Sequence, residues 1–190
     1  MRSSPGPSLL APPLLSLLLL VQACSLPWGI RRQPSPRSAL GLGAESRQDP
    51  ALSGDGRLLA SLVLRSGRST VVLQDRRSGQ MMPLPLLRGQ QPHSSPSVSW
   101  NGRYLALLVW RGSRRQVVVN DRATNRLLPM PLRGDRDPQR LSLAPDARHL
   151  AVELVEGGQS RVEVFALNEL LEPDPIPGQW LQGPRSGSRP

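Results

Sequence analysis

The chain has 190 residues, with 38% hydrophobic content, 21 prolines, 17 glycines and a single cysteine. One cysteine excludes an internal disulfide and a cysteine-based metal site, and the length fits one domain with tails rather than two full domains. All 24 basic residues are arginine and the formal net charge is +10, unevenly spread: seventeen arginines stand against five acids over residues 25–134, and six against nine over residues 135–190.

Proline and glycine together make up 38 of 190 residues, below the roughly 25–30% at which a chain without a repeat period reads as disordered, so a folded core is expected. The chain opens with a segment that reads as an address. Leu9 to Val21 is an uncharged run, LLAPPLLSLLLLV, preceded by Arg2. It is shorter than the roughly 20 residues a helix needs to cross a bilayer and matches the apolar centre of an export signal. The run ends at Val21-Gln22-Ala23-Cys24, which resembles the bacterial lipoprotein signal: an aliphatic residue, a tolerant position, a small residue, then the cysteine. That resemblance implies a signal peptide over residues 1–23 and a lipid on Cys24, anchored at about 0.8 kcal/mol per buried methylene. An ordinary secretory signal with an incidental cysteine fits the same residues; either way, the mature protein is expected outside the cytoplasm. Residues 24–49 lack an apolar period and are rich in Pro, Ser and Gly. They read as a disordered, flexible tether with a span of roughly 28 Å.

Self-comparison gives three repeats, beginning at Pro50, Pro96 and Pro138 and bounded as 50–95, 96–137 and 138–178. Gly56, Gly102 and Ala147 align, as do Arg57, Arg103 and Arg148, then Leu59, Leu105 and Leu150, then Ala60, Ala106 and Ala151. A period of this length signals a repeat architecture. In each unit a short first strand leads to Asp55-Gly56, Asn101-Gly102 or the decayed Asp146-Ala147, read as a hairpin in which both central residues take positive φ. The second strand, LLASLVL, YLALLVW or HLAVELV, is nearly continuously apolar in the first two units, as in a strand covered on both faces. A third strand follows, TVVLQD, QVVVND or RVEVFA. In the fourth, MMPLPL or LLPMPL, prolines two apart remove donors along one edge only, which places it outermost.

Four antiparallel strands in sequence with the last at the rim form a propeller blade. The fold class is therefore all-β: three four-stranded antiparallel blades, a partial β-propeller over residues 50–178, followed by a disordered tail over residues 179–190. The proline-led first strand, the Asp-Gly-Arg or Asn-Gly-Arg turn, the apolar run with a fixed alanine and the third strand ending in aspartate resemble the repeat of TolB-type propellers, relatives of the WD repeats. That resemblance implies protein partners in the cell envelope.

A closed propeller takes about four to eight blades, so three blades leave apolar faces that a neighbour would cover. A homodimer completing a six-bladed ring is expected on this ground, the acidic third unit of one chain meeting the basic first unit of the other. No catalytic, cofactor-binding or metal constellation emerges. His93 and His149 lack companions at metal-ligand spacing, and Asp55, Asp75 and Asp121 read as turn residues that bond nearby backbone. Arg65, Arg68, Arg111, Arg114 and Arg115 fall in inter-strand turns and form a candidate basic rim for polyanions, or a solvated one. Nucleic acid is not expected, because no aromatics interleave with the arginines. Trp100, Tyr104 and Trp110 read as core. The sequence thus points to a non-enzymatic envelope protein-interaction module, membrane-anchored on the periplasmic side. Two alternatives stand beside it: a propeller-based hydrolase or lyase, and a decayed fragment of a larger propeller.

Overall fold

The computed structural model describes residues 45–134 and 136–178, and every structural statement below concerns these. The export signal, Cys24, most of the tether and the C-terminal tail lie outside the described residues. The described chain holds eleven strands in three antiparallel sheets of four, four and three strands.

The first blade comprises β1 (Arg47–Leu52), β2 (Leu58–Arg65), β3 (Arg68–Asp75) and β4 (Met81–Met82), in that spatial order. The second repeats it with β5 (His93–Val98), β6 (Tyr104–Arg111), β7 (Arg114–Asp121) and β8 (Arg126–Pro129). The third has β9 (Asp137–Leu143), β10 (His149–Glu156) and β11 (Gln159–Ala166). Each first strand begins ahead of the proline that opens the repeat in sequence. The proline instead sits at a bulge: the β1–β2 register shifts between Gln48 and Ala51, and the β5–β6 register between Ser94 and Ser97. Asp49 and Ser95, directly before the prolines, take φ of 51° and 49°.

The blades stack through two apolar clusters. Leu58, Ala60, Leu62, Val71 and Leu73 of the first blade pack on Val98, Leu105, Leu107, Val109 and Val118 of the second. Tyr104, Ala106, Leu108, Val117 and Val119, from the other face of the second blade, pack on Leu143, Leu150, Val152 and Leu154 of the third. The middle blade is therefore buried on both faces, and Tyr104 through Val109 are all fully covered. β10 faces a neighbour on one side only, so its burial alternates: Leu150, Val152 and Leu154 are inward, and Ala151, Glu153 and Val155 are half-buried. That explains why Glu153 is tolerated in a middle strand.

Hydrogen bonds at one-repeat spacing lace the blades along their innermost strands. The Ser95 N–H donates to Asp49 Oδ2 at 2.9 Å, and the Leu141 N–H donates to Ser95 Oγ at 2.9 Å. The turns are chained likewise: Asp55 N–H to the Trp100 carbonyl at 3.0 Å, and Trp100 N–H to the Pro145 carbonyl at 2.7 Å.

Three expectations need correction. The Asp-Gly and Asn-Gly turns are not two-residue hairpins with both residues at positive φ. Gly56 and Gly102 take φ of 68° and 77°, while Asp55 and Asn101 stay outside the left-handed region. The turn spans Ser53 to Leu58, closed by Gly56 N–H to the Ser53 carbonyl and stabilised by Asp55 Oδ1 accepting the Arg57 N–H at 2.9 Å. The fourth strand of the first blade is edge-placed but stops at Met82, because Pro83 and Pro85 cannot donate; the chain then makes a single 3-10 turn over Pro85–Leu87. The third blade has no fourth strand among the described residues. After β11, Leu167 and Leu171 turn back into the second cluster, and the buried Asp174 accepts hydrogen bonds from Ser99 Oγ and the Asn101 N–H of the second blade. Burying two leucines and one carboxylate on the blade seam takes the place of a fourth strand.

Candidate functional site

Two sets of charged residues mark opposite rims of the stack, and they behave differently. On the rim of the Asp-Gly-Arg turns, the charges are tied up in the fold. Arg57 bonds Asp75 at 2.9 Å, and Arg103 bonds Asp121 at 3.2 Å and Glu172 at 2.8 Å. Arg76 and Arg122 donate to the Gly56 and Gly102 carbonyls. Asp75 Oδ1 accepts the Arg77 and Ser78 N–H groups, and Asp121 Oδ1 accepts those of Ala123 and Thr124. The Ser78 and Arg77 N–H bonds and Arg57 hold the Asp75 carboxyl below the ordinary 3.8. Burial would raise Asp121, but the Arg103 and Thr124 bonds outweigh it and hold that carboxyl low too. Asp55, Asp75 and Asp121 thus serve as turn residues, as their sequence setting indicates. In the third unit Ala166 stands at the position of the strand-ending aspartate, so Arg148 has no counterpart of these pairs.

The opposite rim carries the β2–β3 and β6–β7 turns and the five arginines singled out from sequence. Arg65 and Arg68 are cross-strand partners at the first turn, and Arg111 and Arg114 at the second. Arg65 is 3.6 Å from Glu45. Arg115 is set apart from the other four: it lies one residue up β7, chelates Asp137 of the third blade and stacks 5.8 Å from the Trp110 ring. That pair holds the Asp137 carboxyl low and makes Arg115 a joint between blades rather than part of an open rim.

A cleft opens beside each turn. One, of ≈470 Å³, is lined by Arg65, Ser66, Arg68, Thr70, Arg88 and Gln91. The other, of ≈380 Å³, has Arg111, Arg114, Arg115 and Arg136 on its wall; here Arg136 already meets Glu163 at 2.7 Å and Glu156 at 3.6 Å.

His93 begins β5 and is 2% exposed. It occupies the register position held by Arg47 in the first blade and Asp137 in the third, opposite Val63, Val109 and Val155. Each of the latter two reaches back to the preceding blade: Asp137 to Arg115, and His93 Nδ1 to the Val71 N–H at 3.0 Å. Burial, offset only in part by the Leu87 backbone, pushes the imidazole down to about 4. His149 is exposed at the start of β10. Tyr104 is core as expected, whereas Trp110 is 40% exposed under Arg115. No group of three His, Cys, Asp or Glu that could hold a metal converges among the described residues.

The third blade ends in an open edge. β11 lies outermost in its sheet, and no described strand pairs with its far side. On its outer face Val162 and Val164 are 70% and 66% exposed. The corresponding face of the first blade differs: Arg47 lies across it, bonding Ser61 Oγ at 3.3 Å, and Ser61, Val63, Val72 and Gln74 are buried.

No family model matches the sequence, and comparison with curated proteins finds no match. Solved structures do resemble it. TolB from Acinetobacter baumannii superposes at a TM-score of 0.53 and 16% identity, over 63% of this chain and 30% of that one. A putative TolB from Agrobacterium tumefaciens gives 0.55 at 14% identity, over 65% and 46%. The β-propeller domain of the trilobed protease from Pyrococcus furiosus gives 0.52 at 15% identity, over 70% and 43%. The chain spans less than half the length of each of these structures. What it shares with them is the fold: this protein is built from three stacked antiparallel blades of a partial β-propeller.

Proposed function

We propose that the chain is a non-enzymatic protein-interaction module of a bacterial cell envelope. In this reading it is exported, held on the extracytoplasmic side of a membrane through a lipid on Cys24, and binds an envelope protein with its partial propeller. The observation that carries the binding role is the open flank of the third blade, where Val162 and Val164 stand exposed beside an edge of β11 with which no described strand pairs. Such an edge accepts an added strand through main-chain hydrogen bonds, and the two valines supply an apolar anchor next to it. The address rests on the Leu9–Val21 run and Cys24, and the envelope setting on the TolB resemblance.

A ring of two copies would need the outer faces of both the first and third blades. Among the described residues only the third is open, and this one-sidedness favours a different protein over a second copy. The test is a photo-crosslinking amino acid placed at Val164 in cells making the full chain. A discrete adduct with one envelope protein, lost when Val162→Arg is added, is the expected result. An adduct with a second copy of the chain would instead support the six-bladed ring. No adduct above that from a crosslinker at Ser113, on the far turn, would overturn the assignment of this flank. Replacing Cys24 with serine is expected to release the protein from the membrane fraction, and retention there would refute the lipid anchor.

A further inference from the structure

A cavity lies where the fourth strand of the first blade stops short. β4 covers β3 only at Leu73 and Gln74, so the edge of β3 beside Val71 and Val72 is left without a strand partner. Its place is taken by the Pro83–Leu87 segment and by His93. Between them is a space of ≈230 Å³ walled by Val71, Val72, Met82, Leu84, Leu87 and His93. These side chains share the lining with polar ones, and the mouth of the chamber is cationic. Arg65, Thr70, Arg88 and Gln91 line both the chamber and the ≈470 Å³ cleft above it, where Arg68 joins them. Among the described residues no acidic side chain lines either part. Glu45, 3.6 Å from Arg65, approaches from outside the lining.

The chamber's inner wall holds the buried His93 ring, whose Nδ1 accepts the Val71 N–H and whose other nitrogen faces the Leu87 backbone. The mouth gathers three guanidinium groups, the side chain best suited to a carboxylate or phosphate. Sites for small ligands combine an apolar body with a few placed polar groups in this way.

We infer that this chamber binds a small amphiphilic anion, its apolar body against Val71, Val72, Leu84 and Leu87, and its carboxylate or phosphate head between Arg65, Arg68 and Arg88. The inference is independent of the partner assigned to the third blade, which lies on the other side of the second.

Octyl phosphate and octanoate, below their micellar concentrations, are the probes; octanol and inorganic phosphate are the controls. Binding to the full chain is followed by titration calorimetry and by the imidazole nitrogen resonances, with His149 as the internal reference. The expected result is saturable binding of one or both alkyl anions that shifts His93 and leaves His149 in place. Inorganic phosphate should bind at least tenfold more weakly. The pair Arg68→Gln and Arg88→Gln, both exposed and outside the core, should weaken the alkyl anions about tenfold, two partly solvated ion pairs at roughly fivefold or less each, with circular dichroism unchanged. The inference fails if neither alkyl anion saturates at millimolar concentration, if inorganic phosphate binds as tightly, or if the double variant binds like the parent.

Discussion

Replacing Gly102 with alanine tests the contact between the first two blades. Gly102 is buried in the Asn101-Gly102 turn at φ +77°, and a Cβ built on it would meet the buried Leu58 side chain of the first blade, at its Cδ1 and again 3.2 Å from its Cγ. Two costs combine. An L-residue in the left-handed region costs about 1–2 kcal/mol. Moving Leu58 aside adds about 1–3 kcal/mol of overpacking, because Leu58 is itself wedged in the inter-blade cluster. Gly112 is the matched control: it has φ +64° with nothing within 4 Å of the added carbon, so only the backbone cost applies. Gly102→Ala is therefore expected to lose about 2–5 kcal/mol, and Gly112→Ala about 1–2 kcal/mol. At roughly 3–5 °C per kcal/mol for a folded part of this size, the two should differ by several degrees in Tm by circular dichroism, and in urea midpoint at unchanged slope. Equal losses would show that Leu58 does not pack on this turn and that the blades are not stacked as described.

Further predictions follow from the same geometry. His93 is held neutral by burial, at about 4 against an ordinary 6.5. As pH falls through 6.5 the unfolded chain takes up the proton first, so stability declines between about 6.5 and 4, by on the order of 3 kcal/mol from this group. His93→Asn, whose amide oxygen can still accept the Val71 N–H, should flatten that part of a denaturant-derived stability profile; an unchanged slope would refute the assignment. Asp75, Asp121 and Asp137 have depressed values, so what they contribute is present above the ordinary 3.8 and is lost as pH falls through their lower folded values. Acid unfolding should accordingly steepen below about pH 4, and Asp121→Asn should soften it. Leu107, fully buried between the first and second blades, should cost about 3–5 kcal/mol as alanine, whereas the exposed Val162→Ala should stay within about 0.5 kcal/mol. Equal effects would invert the assignment of the open face. Ser95→Ala leaves the Leu141 N–H without its acceptor and is expected to destabilise by about 1–3 kcal/mol; a neutral result would show that the inner strands are not laced there.

Much of the blade was legible because local rules and tertiary demands agree. The near-continuous apolar runs at Leu58–Leu64 and Tyr104–Trp110 mark middle strands because a strand covered on both faces needs no polar side. The spaced prolines at Pro83, Pro85, Pro129 and Pro131 mark a rim strand because they lack donors. The aspartates read as turn residues because an Asx side chain reaches backbone only two or three residues away. The rim arginines were legible as a group, yet their partners were not. Arg115 meets Asp137 and Arg103 meets Glu172 across blade boundaries, and a repeat alignment carries no information about such cross-unit distances. The burial of His93 was hidden for a related reason: its neighbours Val71 and Leu87 belong to the preceding blade. The third unit misled because it has strand-like residues in its first three segments, and its departure rests on Leu167, Leu171 and Asp174 finding a seam to fill.

By itself the sequence determined the repeat, the strand order within each blade and the rim on which the turn arginines lie, since all of these follow from the period-two geometry of a strand and the short reach of a turn. Only the tertiary structure decided which blade face stays open, that the third blade ends at three strands, and that a chamber with a cationic mouth forms beside the shortened fourth strand. Those outcomes depend on what residues from different repeats meet in space, and pairing between distant segments is a property of the packed whole.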